Sequence, residues 1–205
     1  MSTTWLVLRA SGLVAYGLLA ASSIWGLLLS TRLLGRRVPS RALTFTHEGL
    51  SLGGLAALAT HLAFAALDGY LGFGWREILI PGTASWRPQA IALGVVGAWG
   101  MAIVGLSFYV RRFIGQKVWR YLHFGAFGTF VAATAHGIMA GSDTSRPGVL
   151  ALYVASAAAI LILVVARVVL SGEKARRRVA PAPARPAAQG VPRARSEPAA
   201  VSVDG

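Results

Sequence analysis

Apolar positions gather into five long runs, over about 10–31, 44–67, 89–110, 119–141 and 148–170, and the stretches between them carry most of the charge. A hydrocarbon core about 30 Å thick is crossed by roughly 20 helical residues, and each run reaches that length. Inside lipid the backbone must satisfy its own hydrogen bonds, which selects helices. The runs are also too long and too weakly alternating for strands. The pattern predicts an all-α integral membrane protein: a bundle of five transmembrane helices over 10–170, preceded by a short segment 1–9. The first run exceeds a signal-peptide core and only Arg9 precedes it, so it is expected to remain as a span.

Composition agrees. The chain is 55% hydrophobic and 13% charged, against roughly a quarter charged in soluble domains. The net charge of +13 raises nucleic acid as a partner, but its distribution argues otherwise. Arg32, Arg36, Arg37 and Arg41 form one cluster, Arg111, Arg112, Lys117 and Arg120 another, and Lys174, Arg176, Arg177 and Arg178 a third. Each cluster flanks an apolar run, where lysine and arginine set membrane orientation. Connections 68–88 and 142–147 are close to neutral. The expectation is a multi-pass protein of the cell membrane, N-terminus outside and C-terminus cytoplasmic. The external stretch "LDGYLGFGWREILIPGTASWRP" is rich in Gly, Trp and Tyr and suits the interface. Residues 171–205 are basic, rich in proline and alanine and poor in large apolar residues, so a disordered cytoplasmic tail is expected there.

The chain has no cysteine, which excludes disulfides, thiolate metal sites and covalent c-type haem, and leaves histidine as the strongest metal ligand. Its four histidines are His47 and His61 in the second run and His123 and His136 in the fourth. The intervals of fourteen and thirteen residues correspond to axial steps of roughly 21 and 20 Å. Both runs point the same way, so His47 falls level with His123 towards the inner face and His61 with His136 towards the outer. Two imidazoles facing each other at one depth suit an iron porphyrin held on both axial sides between helices. Two such groups in line would carry electrons across the bilayer. A zinc or copper centre lacks further ligands, since pairs about 20 Å apart cannot share one ion.

Glycines near these histidines, Gly49, Gly53 and Gly54 in the second run and Gly125, Gly128 and Gly137 in the fourth, permit close approach of a helix or a flat ring. One geometric difficulty stands. At 3.6 residues per turn, fourteen residues return within about 40° of the starting face, whereas thirteen end roughly 140° away.

Several stretches make the chain resemble the ferric reductase-like transmembrane domain family over about 40–170: His47 and His61 with thirteen residues between, "VWRYLH" at 118–123, "AHG" at 135–137, "AGSDT" at 140–144 and "SWRP" at 85–88. That family includes ferric reductases, NADPH oxidases and the haem-binding membrane partner of a periplasmic methionine sulfoxide reductase. The resemblance implies two non-covalent b-type haems with His47, His61, His123 and His136 as axial ligands. Arg112 and Arg120 are the expected partners of haem carboxylates at the inner face, since arginine forks match carboxylates, and Arg87 is a candidate at the outer. Asp68 and Asp143 are expected to cap loops. Family enzymes carry flavin and nicotinamide domains after the last span. The tail here has no G-x-G-x-x-G unit, so the donor is expected to be a separate flavoprotein or a quinol, with an acceptor outside. The alternatives are a haem-binding subunit of a periplasmic reductase, or a non-redox transporter or scaffold using its histidines for packing or proton relay. A transporter would more often show midplane carboxylates or broken helices.

Overall fold

The computed structural model describes residues 2–31 and 39–179, and within them every regular element is helical. The order is α1 (Thr3–Thr31), α2 (Ser40–Leu67), the short α3 (Trp75–Leu79), α4 (Pro88–Ala140) and α5 (Pro147–Val179). The four long helices are each long and apolar enough to cross a membrane, which makes the chain a multi-pass helical membrane protein. Proline stands in the first turn of both α4 and α5, where its missing N–H is not needed. Helix α5 runs through Val179 rather than ending near 170, so the first residues of the expected tail are helical. The remainder of the tail from 180 and the basic cluster at Arg32, Arg36 and Arg37 lie outside the described residues, as do the side chains of Lys174, Arg176, Arg177 and Arg178.

Helix α4, 53 residues long, would extend for about 80 Å if straight. It does not. Gly115 has φ 81° and ψ 154°, a region essentially closed to residues with a Cβ, and the chain reverses there. Gly94 faces His136, Gly97 faces Ala133 and Gly100 faces Thr129, positions placed symmetrically about Gly115. The two arms, 88–114 and 116–140, are therefore an antiparallel hairpin and match the third and fourth apolar runs. Arg87 clips its open end by donating to the carbonyl of Met139, one of the carbonyls a helix leaves unpaired at its C-terminus.

Helix α1 is the centre of the bundle, packing along α2 and against both α5 and α4. The buried core joins Tyr16, Leu19, Ala20 and Leu27 of α1 to Met101 and Phe130 of the two α4 arms and Tyr153 and Ile160 of α5. A polar knot crosses it: the Tyr16 hydroxyl bonds Ser156 at 2.7 Å and accepts from Thr134 at 3.2 Å. Outward faces are apolar, with Leu161, Ile162 and Val168 about two-thirds exposed, as expected of surfaces turned to lipid.

We call the end carrying the α2–α4 and α4–α5 connections the upper end. Phe73, Ile78 and Ala84 form a small cluster there against Leu62, Ala66 and Ile91. Asp68 stands at the C-cap of α2, its carboxylate accepting from the backbone of Tyr70 and Leu71 at 3.1 Å each. Asp143 does more than cap. Arg9 of α1 donates its Nε to Asp143 at 2.7 Å, and Arg146 reaches the other carboxylate oxygen at 2.8 Å. This strap joins α1 to the α4–α5 connection.

Two outcomes test these features. At Gly115 a methyl would meet nothing within 4 Å, yet φ is 81°. Gly115→Ala is therefore expected to destabilise through backbone strain alone, by about 1–3 kcal/mol, read as a lower unfolding midpoint in detergent. The Asp143 carboxyl is held below its ordinary value of 3.8, chiefly by the hydrogen bond from Arg9 and against the opposing effect of burial. A lowered folded-state value gives stability that is present above 3.8 and is lost as pH falls through the lowered value. Asp143→Asn is thus expected to melt earlier than the native chain at pH 7, with the gap closing on acidification below 3.8; a gap independent of pH would contradict the strap.

Candidate functional site

The hairpin leaves α2 and the second arm of α4 running the same way, and this aligns the histidines. The rings of His47 and His123 stand 6.0 Å apart between centres with planes at 76°, and those of His61 and His136 stand 6.3 Å apart, also at 76°. Imidazoles bind first-row metals through nitrogen at about 2.0–2.1 Å. With each ring centre about 1 Å behind its nitrogen, two rings sharing one ion sit about 6 Å apart. Both pairs have that separation. Among the described residues no group of three or more His, Asp or Glu could gather round an ion, so each pair stands as a two-histidine site.

Three of the four rings are held in the same way. His61 Nδ1 bonds the Leu8 carbonyl at 2.9 Å, His47 Nδ1 bonds the Ser22 carbonyl at 3.0 Å, and His136 Nδ1 bonds the Ala90 carbonyl at 2.8 Å. A carbonyl only accepts, so Nδ1 carries the proton in each and Nε2, at the far side of the ring, keeps its lone pair. Four residues beyond each carbonyl comes a glycine: Gly12, Gly26 and Gly94. A Cβ on Gly12 would lie 2.9 Å from the His61 ring, one on Gly26 3.1 Å from the His47 ring, and one on Gly94 2.6 Å from His136 Nδ1. One helical turn places the glycine beside the carbonyl it follows. The absent side chain lets the ring come close enough to bond that carbonyl. Ser22 adds its hydroxyl, 3.2 Å from His47 Nδ1 and 2.8 Å from Ser51.

The glycines singled out in the sequence do other things. Gly49 and Gly128 face nothing within 4 Å, Gly53 meets Leu18, Gly54 meets Met101, Gly125 meets Val104 and Gly137 meets Tyr153. The glycines that touch histidine lie on the neighbouring helices, and one signal pointed to them. Gly12 and Gly26 are fourteen apart, like His47 and His61.

The thirteen-residue step is accommodated by using two flanks of one helix. His136 lies against the first arm of α4, whereas His123 opens into a cavity lined also by Phe124, Phe127 and Arg167 of α5. His123 makes no hydrogen bond through either ring nitrogen among the described residues; it stacks on Trp119 one turn earlier, 5.1 Å between centres and 26° between planes.

Each pair has its own cavity. The upper one, around His61 and His136, encloses about 1370 Å³ of empty space including its mouth, and the lower one, around His47 and His123, about 1360 Å³. Leu19 and Met101 line both and form the wall between them. Of the arginines expected near the inner pair, Arg120 lines the lower cavity. Arg112 does not; its guanidinium lies over the Phe113 ring, 4.5 Å from its centre. Arg167 takes the second place, which the sequence reading missed because it sits inside the fifth apolar run. At the upper cavity Arg87 is engaged with Met139 and Trp86, and Arg9 is the lining arginine, already bound by Asp143.

The close approaches give a test independent of any ligand. Gly94→Ala and Gly12→Ala force a methyl into an imidazole and are expected to cost about 1–3 kcal/mol. Gly49→Ala and Gly128→Ala, made into open space, are expected to be neutral or stabilising by up to about 1 kcal/mol. Unfolding midpoints in detergent check both.

Compared with protein-family models, curated proteins and solved structures, the chain finds no match.

Proposed function

We propose that this chain carries electrons across a cell membrane as a ferric reductase-like cytochrome b component. One haem b is held by His47 and His123, the other by His61 and His136. The observation that carries the reading is the pair of histidine pairs, 6.0 and 6.3 Å between ring centres, each in its own cavity, with Nε2 left basic in three of the four rings. The fit of the group rests on that separation and on the donor set. Neutral imidazole is the usual protein donor to such a group, and a carbonyl bonded to its other nitrogen fixes the tautomer and raises basicity. Bound there, haem b supplies reversible one-electron chemistry.

The residues of the chain do the rest. His47, His61 and His136 offer a fixed lone pair each. Arg120 and Arg167 at the lower cavity suit the carboxylates that such a group carries. The apolar linings exclude water, and the lipid-facing surfaces of the helices seat the bundle in the bilayer. In this reading the two arms of α4 cross separately, so the chain crosses five times. The basic clusters put the lower end in the cytoplasm, the N-terminus outside and the C-terminus inside. Electrons enter from a separate flavoprotein or quinol and leave to an acceptor outside.

The purified protein is expected to show a dithionite-reduced minus oxidised spectrum of b-type haem, with about two haems per chain by pyridine haemochrome. His61→Ala and His136→Ala should perturb one and the same haem, and His47→Ala and His123→Ala the other. Absence of b-type haem, or a single haem touched by all four variants, would sink the reading.

A further inference from the structure

The two histidine pairs are not built alike. At the upper site both rings are locked to a neighbouring helix, His61 to the Leu8 carbonyl and His136 to the Ala90 carbonyl. At the lower site only His47 is locked, to the Ser22 carbonyl. The cause lies in the helix repeat. Fourteen residues separate His47 from His61, so both face α1, where Gly12 and Gly26 repeat the same interval. Thirteen separate His123 from His136, a turn of roughly 140° on the helix surface. With His136 directed at the first arm of α4, His123 is directed away from it. Across the hairpin the level of His123 falls at Ser107, which is buried and spends its hydroxyl on the Val104 carbonyl at 2.7 Å. What remains is Trp119 on the face of the ring, a stacking contact with no directional bond, whose own Nε1–H is buried without a hydrogen-bond partner among the described residues.

We infer that His123 is the exchangeable ligand of the lower site, yielding its place to a small neutral diatomic molecule, whereas the His61–His136 site stays closed. The inference rests on the two-haem reading above. A histidine whose second nitrogen is bonded to a carbonyl holds its ring orientation and donates more strongly, and losing such a bond typically costs 10–100-fold in metal affinity. His123 starts without it. Exchange would release His123 Nε2 and seat the incoming molecule in its place, with no change in electron count. Val104, Phe124 and Phe127 line the cavity beside His123, and Arg120 and Arg167, which line it too, are assigned to the carboxylates of the bound group, so what is left beside the ring is apolar and suits a small neutral molecule.

Carbon monoxide is the probe, applied to the whole dithionite-reduced protein after its haem has been counted by pyridine haemochrome. The native chain is expected to bind it at one of two haems, so half the haem signal shifts at saturation. The double variant His61→Ala, His136→Ala, which keeps only the lower pair, should bind at the haem that remains, and His47→Ala, His123→Ala, which keeps only the upper pair, should not. Trp119→Ala is expected to speed association roughly two- to tenfold, the range that an aromatic contact of this kind supplies. Gly94→Ala should raise the responsive fraction above half by displacing His136. Two haems with no binding, with binding at both, or with binding retained in His47→Ala, His123→Ala would overturn the inference and leave the electron-transfer reading standing. Absence of haem overturns that reading instead. Should either histidine variant fail to fold, the native stoichiometry and the Trp119→Ala rate still decide.

Discussion

The bundle depends on a hydrogen bond from imidazole to the backbone of a neighbouring helix, made possible by a glycine one turn further on. Within a membrane such a bond contributes on average about 0.6 kcal/mol and at most roughly 1.7, too little to account for the fold. Its effect is on direction. It fixes which nitrogen holds the proton, turns the other towards the interior, and sets how far α1 stands from α2. Gly12 and Gly26 repeat the interval of His61 and His47, so two such bonds also fix the register of α1 against α2. A slip of one residue would break both and drive a Cβ into an imidazole.

Charge is distributed to the same plan. Arg120 and Arg167 line the lower cavity together with Glu48, whereas Arg9 in the upper cavity is already engaged by Asp143, and Glu77 lines the same space. A buried charge is costly unless paired. Arg9 is therefore neutralised within the upper cavity, whereas Arg120 and Arg167 outnumber Glu48 in the lower one. The upper strap also ties the N-terminal turn of α1 to the α4–α5 connection, which holds Leu8 and Gly12 against His61.

Much of this was legible in the sequence, and the reason is periodic. Length and hydropathy located the long helices, and two matched intervals located the histidine pairs. The reversal at Gly115 fell between the third and fourth apolar runs, where the charge had already placed a boundary. The supporting residues were hidden because support comes from across the interface. Gly12 and Gly26 lie on α1 and Gly94 on the first arm of α4, none of which carries a histidine, and Gly94 meets His136 only because the hairpin folds back. Arg112 and Arg120 are equivalent by composition, yet a helical rotation of eight residues, about 80° beyond two full turns, and the break at Gly115 separate them. Arg112 turns to Phe113 and Arg120 to the cavity. Arg167 was masked by the apolar run around it.

Gly54 shows how the two sites are kept apart in so thin a bundle. It faces no histidine. A Cβ there would lie 2.6 Å from the terminal methyl of Met101, and Met101 and Leu19 form the wall between the cavities. Methionine is the flexible filler of apolar cores, and a glycine opposite lets it extend fully into the gap. Beyond this wall the Tyr16, Thr134 and Ser156 hydroxyls bind α1 to the second arm of α4 and to α5. The middle layer thus draws on α1, α2, both arms of α4 and α5, while each histidine pair draws on only two helices for its ligands. A bundle clamped at its middle can hold unlike sites at its ends, so a step of fourteen residues on one helix and thirteen on the other is tolerated. Had both steps been fourteen, the two second-arm histidines would have faced one neighbouring helix at two levels, as His47 and His61 face α1, and the two ends would have been alike.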